Sequence, residues 1–453
     1  MNNLQLPTEY LNNMKNILGT DYNKYLKALN DNPVQGVRLN TLKADKSVLQ
    51  EFDITDNIPY ASNGYIMNNS KIGKHPYHIA GLVYVQEPSS MVAVCASGLE
   101  LEETKDLIVL DLCASPGGKS GQIAEILAGD GVLISNEIDN KRAKVLAGNI
   151  ERMGYTNVIV TNSSPQKLAE TLPTMFDYIF VDAPCGGEGM FRKDPDTITE
   201  WRQERLLSNS VRQKEILAEA HKMLKPNGKL IYSTCTFAKE EDEDVIDWFI
   251  TEYGYSLVMP KPSIIDSTTF LSKPECRRFY PHIASGEGQF ICVMQKSDDE
   301  TKYVHKQKMP KMGNSEIKLT NDFILTNFNL PFAVNYTKVG DNICLINKNL
   351  QNMLEYMQKL PIINAGITAG NIEKNRFIAH NNMFTALGKY CKNKLNFAVN
   401  SPILQKYLHG EQINNTLDIK SGYVCICVNN HSICGSRVSG NNLKNIFPKG
   451  LRI

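Results

Sequence analysis

The 453-residue chain has no window with the roughly 18 apolar residues that a membrane-spanning helix needs. Its first ten residues, MNNLQLPTEY, lack both the basic and the apolar stretch of a signal peptide. No Cys-x-x-Cys pair occurs, which removes the common signatures of a zinc site or a redox dithiol. Net charge is nearly absent, at +1. These absences predict a cytoplasmic protein with no membrane contact and no metal. What is present is ordinary for a globular chain: 42% hydrophobic and 21% charged residues exclude disorder and a small disulfide scaffold. The length predicts several domains of about 100–200 residues each. The eleven cysteines stand at irregular spacings, and most are expected to be small buried hydrophobes of a reducing compartment.

The small net charge conceals an asymmetry. From Thr301 to Ile453 there are 19 Lys and Arg against 7 Asp and Glu, a formal +12, whereas the remainder carries 30 basic and 41 acidic residues. A C-terminal part that meets a polyanion is expected. At the other end, LPTEYLNNMKNILG and YNKYLKAL space apolar residues three and four apart, as helices do, and GVRLNTLK reads as a short strand, so residues 1–75 form a small α+β module. From Leu107 the pattern becomes LIVLDL, GQIAEILA, VLISNE, RAKVLAGNIERMG, VIVTN, YIFVDAP, a long helix through RQKEILAEAHKML, KLIYSTC and a late FICVMQ. Apolar strands alternating with helices predict a doubly wound, mostly parallel α/β domain over 76–297. Residues 298–315 are polar without an apolar period and read as a linker. Near the end, GYVCICV and HSICGSRV flank Asn429-Asn430, a hairpin signal compatible with a small β-barrel.

Two constellations carry chemistry. The first is LIVLDLCASPGGKSGQIAEIL, a strand, a tight loop and a helix. Gly117 and Gly118 let backbone approach a ligand, and the helix opening near Lys119 offers free N–H groups. A P-loop needs glycine where Cys113 stands, and the dinucleotide fingerprint fails on ASPGGKSG. Glu137 ends the next strand, where a carboxylate can hold ribose hydroxyls. Loop and carboxylate together point to a nucleoside cofactor without a polyphosphate, such as S-adenosylmethionine.

The second constellation is a pair of cysteines just past two strands. YIFVDAPCGGEGMFRKDP carries Asp182, Pro184 and Cys185, and KLIYSTCTFAKEED carries Cys235. Both should open on the crevice beyond the strand ends, beside the cofactor loop. Carbon 5 of cytosine is too electron-poor to take a methyl cation directly. Addition of a thiolate to carbon 6 makes it enamine-like, and a carboxyl such as Asp182 can support the ring nitrogen. The residues themselves do not decide which cysteine attacks. The acidic run Lys239 to Asp244 reads as the first turn of a helix, where carboxylates suit the dipole.

DLCASPGGKSGQIA, SNEIDNKRAKVLAGNIERMG, FVDAPCGGEGMFRKDP and IYSTCTFAKEEDE resemble the successive motifs of the Sun family of RNA (cytosine-5) methyltransferases, in particular its bacterial RsmF-type members acting on 16S ribosomal RNA. The resemblance is dense over the α/β domain, extends to GVRLNTLK and VYVQEPSSM, and is looser in the C-terminal part. It implies a Rossmann-like class I methyltransferase domain using S-adenosylmethionine. Cys113, Ala114, Ser115, Pro116, Gly117, Gly118 and Lys119 would line the methionine side of the cofactor, Glu137 its ribose, and Asp182 would lie between cofactor and base. Arg142 joins the cofactor-binding candidates. Cys235 matches the family's nucleophile, and Cys185 matches the second cysteine, which helps release the product.

One departure is Ser164, with Asn162 nearby, in VIVTNSSPQKL, where many members have an aspartate that contacts the adenine, and Ser164 or Asn162 is expected to hydrogen-bond the adenine amine instead; another is Gly186-Gly187 after the Pro-Cys, where serine is common. The resemblance further implies an RNA-binding subdomain over 316–395, ferredoxin-like or irregular, and a PUA-like barrel over 396–453. Lys444 and Lys449 would neutralise phosphates there, and Phe447 and Tyr423 would either stack on bases or pack in the core. The expected partner is 16S rRNA, with the target cytosine turned out of its stack, and the expected state is a monomer. The alternatives are a transfer RNA substrate, a P-loop nucleotide hydrolase, and a non-catalytic ribosome assembly factor.

Overall fold

The structure is a computed structural model that describes residues 4–68, 71–128, 131–261, 264, 273–297, 304–309 and 312–453. Two helices, Thr8–Leu18 and Tyr22–Leu29, open the chain. Their apolar faces, with Tyr10, Met14, Tyr25 and Leu29, bury against Phe191, Trp201, Phe237 and Tyr280 of the central domain. Four strands follow: β1 (Gln35–Leu39), β2 (Ile54–Asn57), β3 (Gly64–Met67) and β4 (Val83–Val85), paired antiparallel in the order β2-β3-β1-β4. This sheet draws its fourth strand from beyond residue 75, inside the stretch assigned above to the α/β domain.

The central sheet is built from β5 (Ile108–Asp111), β6 (Val132–Asn136), β7 (Val158–Thr161), β8 (Phe176–Asp182), β9 (Leu224–Thr234), β10 (Ser256–Val258), β11 (Arg277–Phe279) and β12 (Gln289–Gln295). Its path is β10-β12-β9-β8-β5-β6-β7, with β11 beside β12. The five strands β7, β6, β5, β8 and β9 are parallel, and the late apolar strand β12 enters antiparallel to β9. Strand periodicity explains the double winding. On β5, Val109 packs into one hydrophobic cluster and Leu110 into the other; on β8, Tyr178 and Phe180 face one side while Ile179 and Val181 face the opposite one. Both faces of such a strand are covered, and the sequence accordingly reads as continuous apolar runs rather than alternation.

The chain continues through β13 (Asn335–Val339), β14 (Asn342–Ile346), β15 (Ile362–Ala365), β16 (Ile367–Glu373) and β17 (Arg376–Ala379). β13-β14-β16-β17 is an antiparallel sheet in nearly sequential order, without the crossovers of a ferredoxin-like piece. β15 leaves this group and pairs antiparallel with β7, so the basic part of the chain supplies an edge strand to the central sheet. Of the expected linker 298–315, residues 298–303 and 310–311 lie outside the described residues. The rest carries no strand and gives way to the helix Asn314–Asn327.

The last sheet contains β18 (Lys394–Phe397), β19 (Ile413–Asn414), β20 (Ser421–Val428), β21 (His431–Ser439) and β22 (Asn442–Asn445), in the order β18-β20-β21-β22-β19. Asn429 and Asn430, both at positive φ, form the two-residue turn between β20 and β21. β18 and β19 are opposite edges, so the expected barrel is an open half-barrel. Its inner face, including Val424, Ile426, Leu443 and Phe447, shares one core with Val37, Leu39 and Tyr65 of the N-terminal sheet. Phe447 and Tyr423 are both buried, which assigns them to packing rather than to base stacking. Lys444 and Lys449 are exposed. Among the described residues no helix is long and apolar enough to cross a membrane.

Candidate active site

β6 and β7 lie on one side of β5 and β8 and β9 on the other, so the strand order reverses between β5 and β8. Loops leaving the two strands diverge there and leave a crevice beyond their carboxyl ends. That crevice is a cleft of about 400 Å³. Leu112, Cys113 and Ser115 line it from the loop after β5, Asn136, Glu137 and Ile138 from the end of β6, and Asp182 to Cys185 from the end of β8, with Cys235 beyond β9. Arg142, Pro165, Gln166, Arg212, Glu215 and Ile216 complete the lining.

The loop after β5 turns into the helix Gly118–Ile126 at Gly117, whose φ of 112° is open to glycine and strained for other residues. Ala114, Pro116, Gly117 and Gly118 build this turn without lining the cleft. Lys119 is buried and reaches the cleft through Asp182, Nζ to Oδ2 at 2.8 Å. Burial disfavours its charge, but the Asp182 carboxylate more than compensates and holds the ammonium above its ordinary pKa. A lysine committed in this way is not the free cation of a P-loop. The other oxygen of Asp182 accepts from Ser233 Oγ at 2.7 Å and from Gln289 Nε2 at 3.1 Å, so the carboxylate is oriented by three donors.

Behind the loop, Asp111 is fully buried. Ser120 Oγ donates to its Oδ2 at 2.6 Å, while Oδ1 has no hydrogen-bond partner among the described residues. Burial pushes this carboxyl up to about 7, against the Ser120 hydroxyl and Lys119. Burial also pushes the Cys113 thiol up, so Cys113 stays a neutral wall. Glu137 accepts from Asp139 N at 3.0 Å and lies 3.5 Å from Arg142 Nη2, which in turn donates to Ser115 O at 3.0 Å. Arg142 thereby braces the cofactor loop against the end of β6.

Ser164 does not line the cleft. Its Oγ accepts from Lys167 N at 3.3 Å and caps the helix Pro165–Thr171. Asn162 spends its amide on the carbonyls of Glu137 and Ile138. The side chains at that end of the cleft are Ile138, Pro165 and Gln166. Gln166, Arg212 and Glu215 went unread in the sequence because polar residues on amphipathic helices look like solvated faces.

Cys185 and Cys235 come from loops on neighbouring strands, and their sulfurs are 3.4 Å apart. The hydrogen bond with Cys235, with burial second, raises the Cys185 thiol well above its ordinary range. The two loops are stitched together. Gly189 N donates to Cys235 O at 2.8 Å, and the buried Glu188 accepts from Phe237 N and from Trp201 Nε1, each at 2.8 Å. The acidic run serves a helix dipole only in part. The helix begins at Glu243, and Glu241, Asp242 and Glu243 are buried, the last two paired with the buried Arg278.

The donor set suits S-adenosylmethionine. Glu137 offers a carboxylate for ribose hydroxyls and Ile138, Pro165 and Ile216 apolar walls for a base, while the lysine of the glycine turn is committed to Asp182 rather than free for a polyphosphate. Fold and cleft together define a Rossmann-like S-adenosylmethionine-dependent methyltransferase. Solved structures agree. A methyltransferase homolog protein from Pyrococcus horikoshii is similar, with 28% identity and a TM-score of 0.56, over 64% of this chain and 96% of that one. The same fold recurs, at 22% identity and a TM-score of 0.56, in the structure described as NSun6 from Pyrococcus horikoshii with SFG, over 65% of this chain and 99% of that one.

The chain belongs to the RsmB/F family of 16S rRNA methyltransferases. Residues 97–295 match that family, residues 6–88 match the N-terminal domain of 16S rRNA methyltransferase RsmF, and residues 394–453 match the RsmF PUA domain. Among relatives named ribosomal RNA small subunit methyltransferase F, one from Vibrio vulnificus is 33% identical over 70% of this chain and 71% of its own. One from a Shewanella strain is 28% identical over 92% of this chain and 90% of its own. For an Enterobacter relative, 33% identical, the match spans 64% of that protein's length.

Proposed function

We propose that the protein transfers a methyl group from S-adenosylmethionine to carbon 5 of a cytosine in 16S ribosomal RNA through a covalent cysteine–cytosine intermediate. The observation that carries this reading is the pair of thiols, 3.4 Å apart, at the edge of a cleft that also holds Glu137 and Asp182. S-adenosylmethionine, when bound, supplies an electrophilic methyl group. Cys235 adds to carbon 6 of the cytosine. Cys185, its sulfur 3.4 Å from that of Cys235, stands within thiol hydrogen-bond distance of the attacking group. Asp182, fixed by Lys119, Ser233 and Gln289, supports the pyrimidine ring nitrogen as charge develops on the ring. Glu137 holds the ribose and Ser115 and Cys113 the methionine side, with Arg142 as brace. The exposed Lys444 and Lys449 contribute phosphate contacts. The protein works in the cytoplasm, as a monomer and without a metal.

The test uses two variants. Cys235→Ala is expected to abolish methyl transfer, and Cys185→Ala to accumulate a denaturation-resistant RNA adduct through Cys235. Full activity in Cys235→Ala, or an adduct formed through Cys185 in that variant, would reverse the roles. Bisulfite mapping of RNA from cells lacking the protein identifies the cytosine.

A further inference from the structure

We propose that Glu241 and Gln213 form a positioning clamp that holds Cys185 for the release of methylated RNA. This rests on the reading of the two cysteines given above. Cys185 is followed by Gly186 and Gly187, the latter at φ 70°, so its own backbone does little to fix it. External bonds do so instead. Gly186 N donates to both carboxylate oxygens of Glu241, at 3.0 and 3.1 Å. Gln213 Nε2 donates to Glu241 Oε2 at 2.7 Å and to Pro184 O at 3.0 Å. The peptide groups on either side of Cys185 are thus held by one pair of side chains, both fully buried. Glu241 is anchored in turn, since Tyr232 Oη donates to its carbonyl at 2.7 Å. The clamp also explains the absence of a side chain at 186, because a Cβ there would lie 2.8 Å from Glu241 Oε1.

The clamp comes from two places that do not line the reacting atoms. Gln213 sits midway along the helix Gln203–Met223, and Glu241 lies six residues after Cys235. Cys185 is thereby placed relative to Cys235 rather than relative to its own loop. In release, the carbon 5 proton leaves to water and its electron pair forms the carbon 5–carbon 6 double bond. The carbon 6–sulfur bond breaks, the departing Cys235 sulfur takes the proton of the neighbouring Cys185 thiol, and Cys185 regains one from solvent. A displaced Cys185 slows this step and leaves the earlier attack by Cys235 intact.

The experiment compares Glu241→Ala, Gln213→Ala and Glu241→Gln in the full chain with an RNA substrate, reading the first turnover, steady-state turnover and the denaturation-resistant adduct. For both alanine variants the first methyl transfer stays within about threefold of the unmodified protein. Steady-state turnover falls about 10- to 100-fold, as a displacement of about 1 Å would cause. Adduct accumulates as in Cys185→Ala. Glu241→Gln keeps an acceptor for Gly186 N but sets an amide N–H2 against that of Gln213, so its turnover falls between those of Glu241→Ala and the unmodified protein. The inference is overturned if either alanine variant slows the first turnover as much as the steady state without adduct, or turns over normally. If Cys185→Ala itself forms no adduct, the assignment of the cysteines has failed and the clamp with it. If Glu241→Ala does not fold, Gln213→Ala decides by the same readouts.

Discussion

Arg38→Met is the most demanding perturbation of this architecture. Arg38 lies on β1, fully buried, and its guanidinium pairs with Glu125 in the last turn of the helix that starts at the cofactor loop. It also donates to Gln86 Oε1 at 3.2 Å. Glu125 is nearly as buried, and besides Arg38 it accepts from Tyr155 Oη at 2.7 Å and Asn63 Nδ2 at 2.9 Å. With methionine at 38, two neutral donors remain to face a buried carboxylate. Removing one partner of a buried ion pair costs about 3–5 kcal/mol. That is at least about a fifth of a typical stability of about 5–15 kcal/mol. Urea unfolding followed by circular dichroism should register the loss in the transition of the central domain. The double variant Arg38→Met, Glu125→Leu should recover most of it, because replacing both charges with apolar side chains of similar size is often close to neutral. Affinity for S-adenosylmethionine should change less than about threefold, since the pair sits at the far end of the helix from residues 113–119. A loss under about 1 kcal/mol, or a double variant as unstable as the single one, would refute the dependence of Glu125 on Arg38.

Three further outcomes are expected. Glu137→Ala should raise the calorimetric Kd for S-adenosylmethionine about 10- to 150-fold, the worth of charge-assisted hydrogen bonds of roughly 1.5–3 kcal/mol, and an unchanged Kd would remove Glu137 from the ribose site. Asp111, pushed up to about 7 in the fold from an ordinary 3.8, gives up its proton earlier in the unfolded chain. Its contribution therefore makes stability fall as pH rises from about 4 to about 7; Asp111→Asn should flatten that part of the urea-midpoint profile, and a steeper fall would contradict the assignment. Replacing Lys444 and Lys449 together by Glu should lower RNA affinity and reduce the slope of log Kd against log salt by about 1.4 to 1.8, whereas an unaltered slope would place both lysines away from phosphates.

The central sheet and both cysteines were legible in the sequence because their signals are local. A strand buried on both faces must be apolar throughout, and Cys185 and Cys235 each stand one loop past such a strand. What escaped reading depends on packing between distant segments. Arg38 lies in a short strand, and nothing nearby in sequence announces that Glu125 will neutralise it. Glu241 reads in the sequence as part of a helix's first turn, and only the fold turns it inward to Gly186 N. Ser164 stands at the expected place for an adenine contact, but the start of the helix Pro165–Thr171 uses its hydroxyl as a cap. The half-barrel was readable as a hairpin at Asn429-Asn430, while its shared core with the N-terminal sheet required residues about 360 to 410 positions apart to meet.

The pairing of β15 with β7 has a consequence for dissecting the enzyme. Without Ile362–Ala365, the sequence Val-Ile-Val-Thr of β7 would be a bare, apolar margin, with its outer row of N–H and C=O groups open to another chain. Truncation at the end of β12 would thus produce a fragment prone to edge-to-edge association, however complete its catalytic residues. The C-terminal third of the protein thus also supplies a guard strand against self-assembly, so it cannot be cut away without baring the edge of the central sheet.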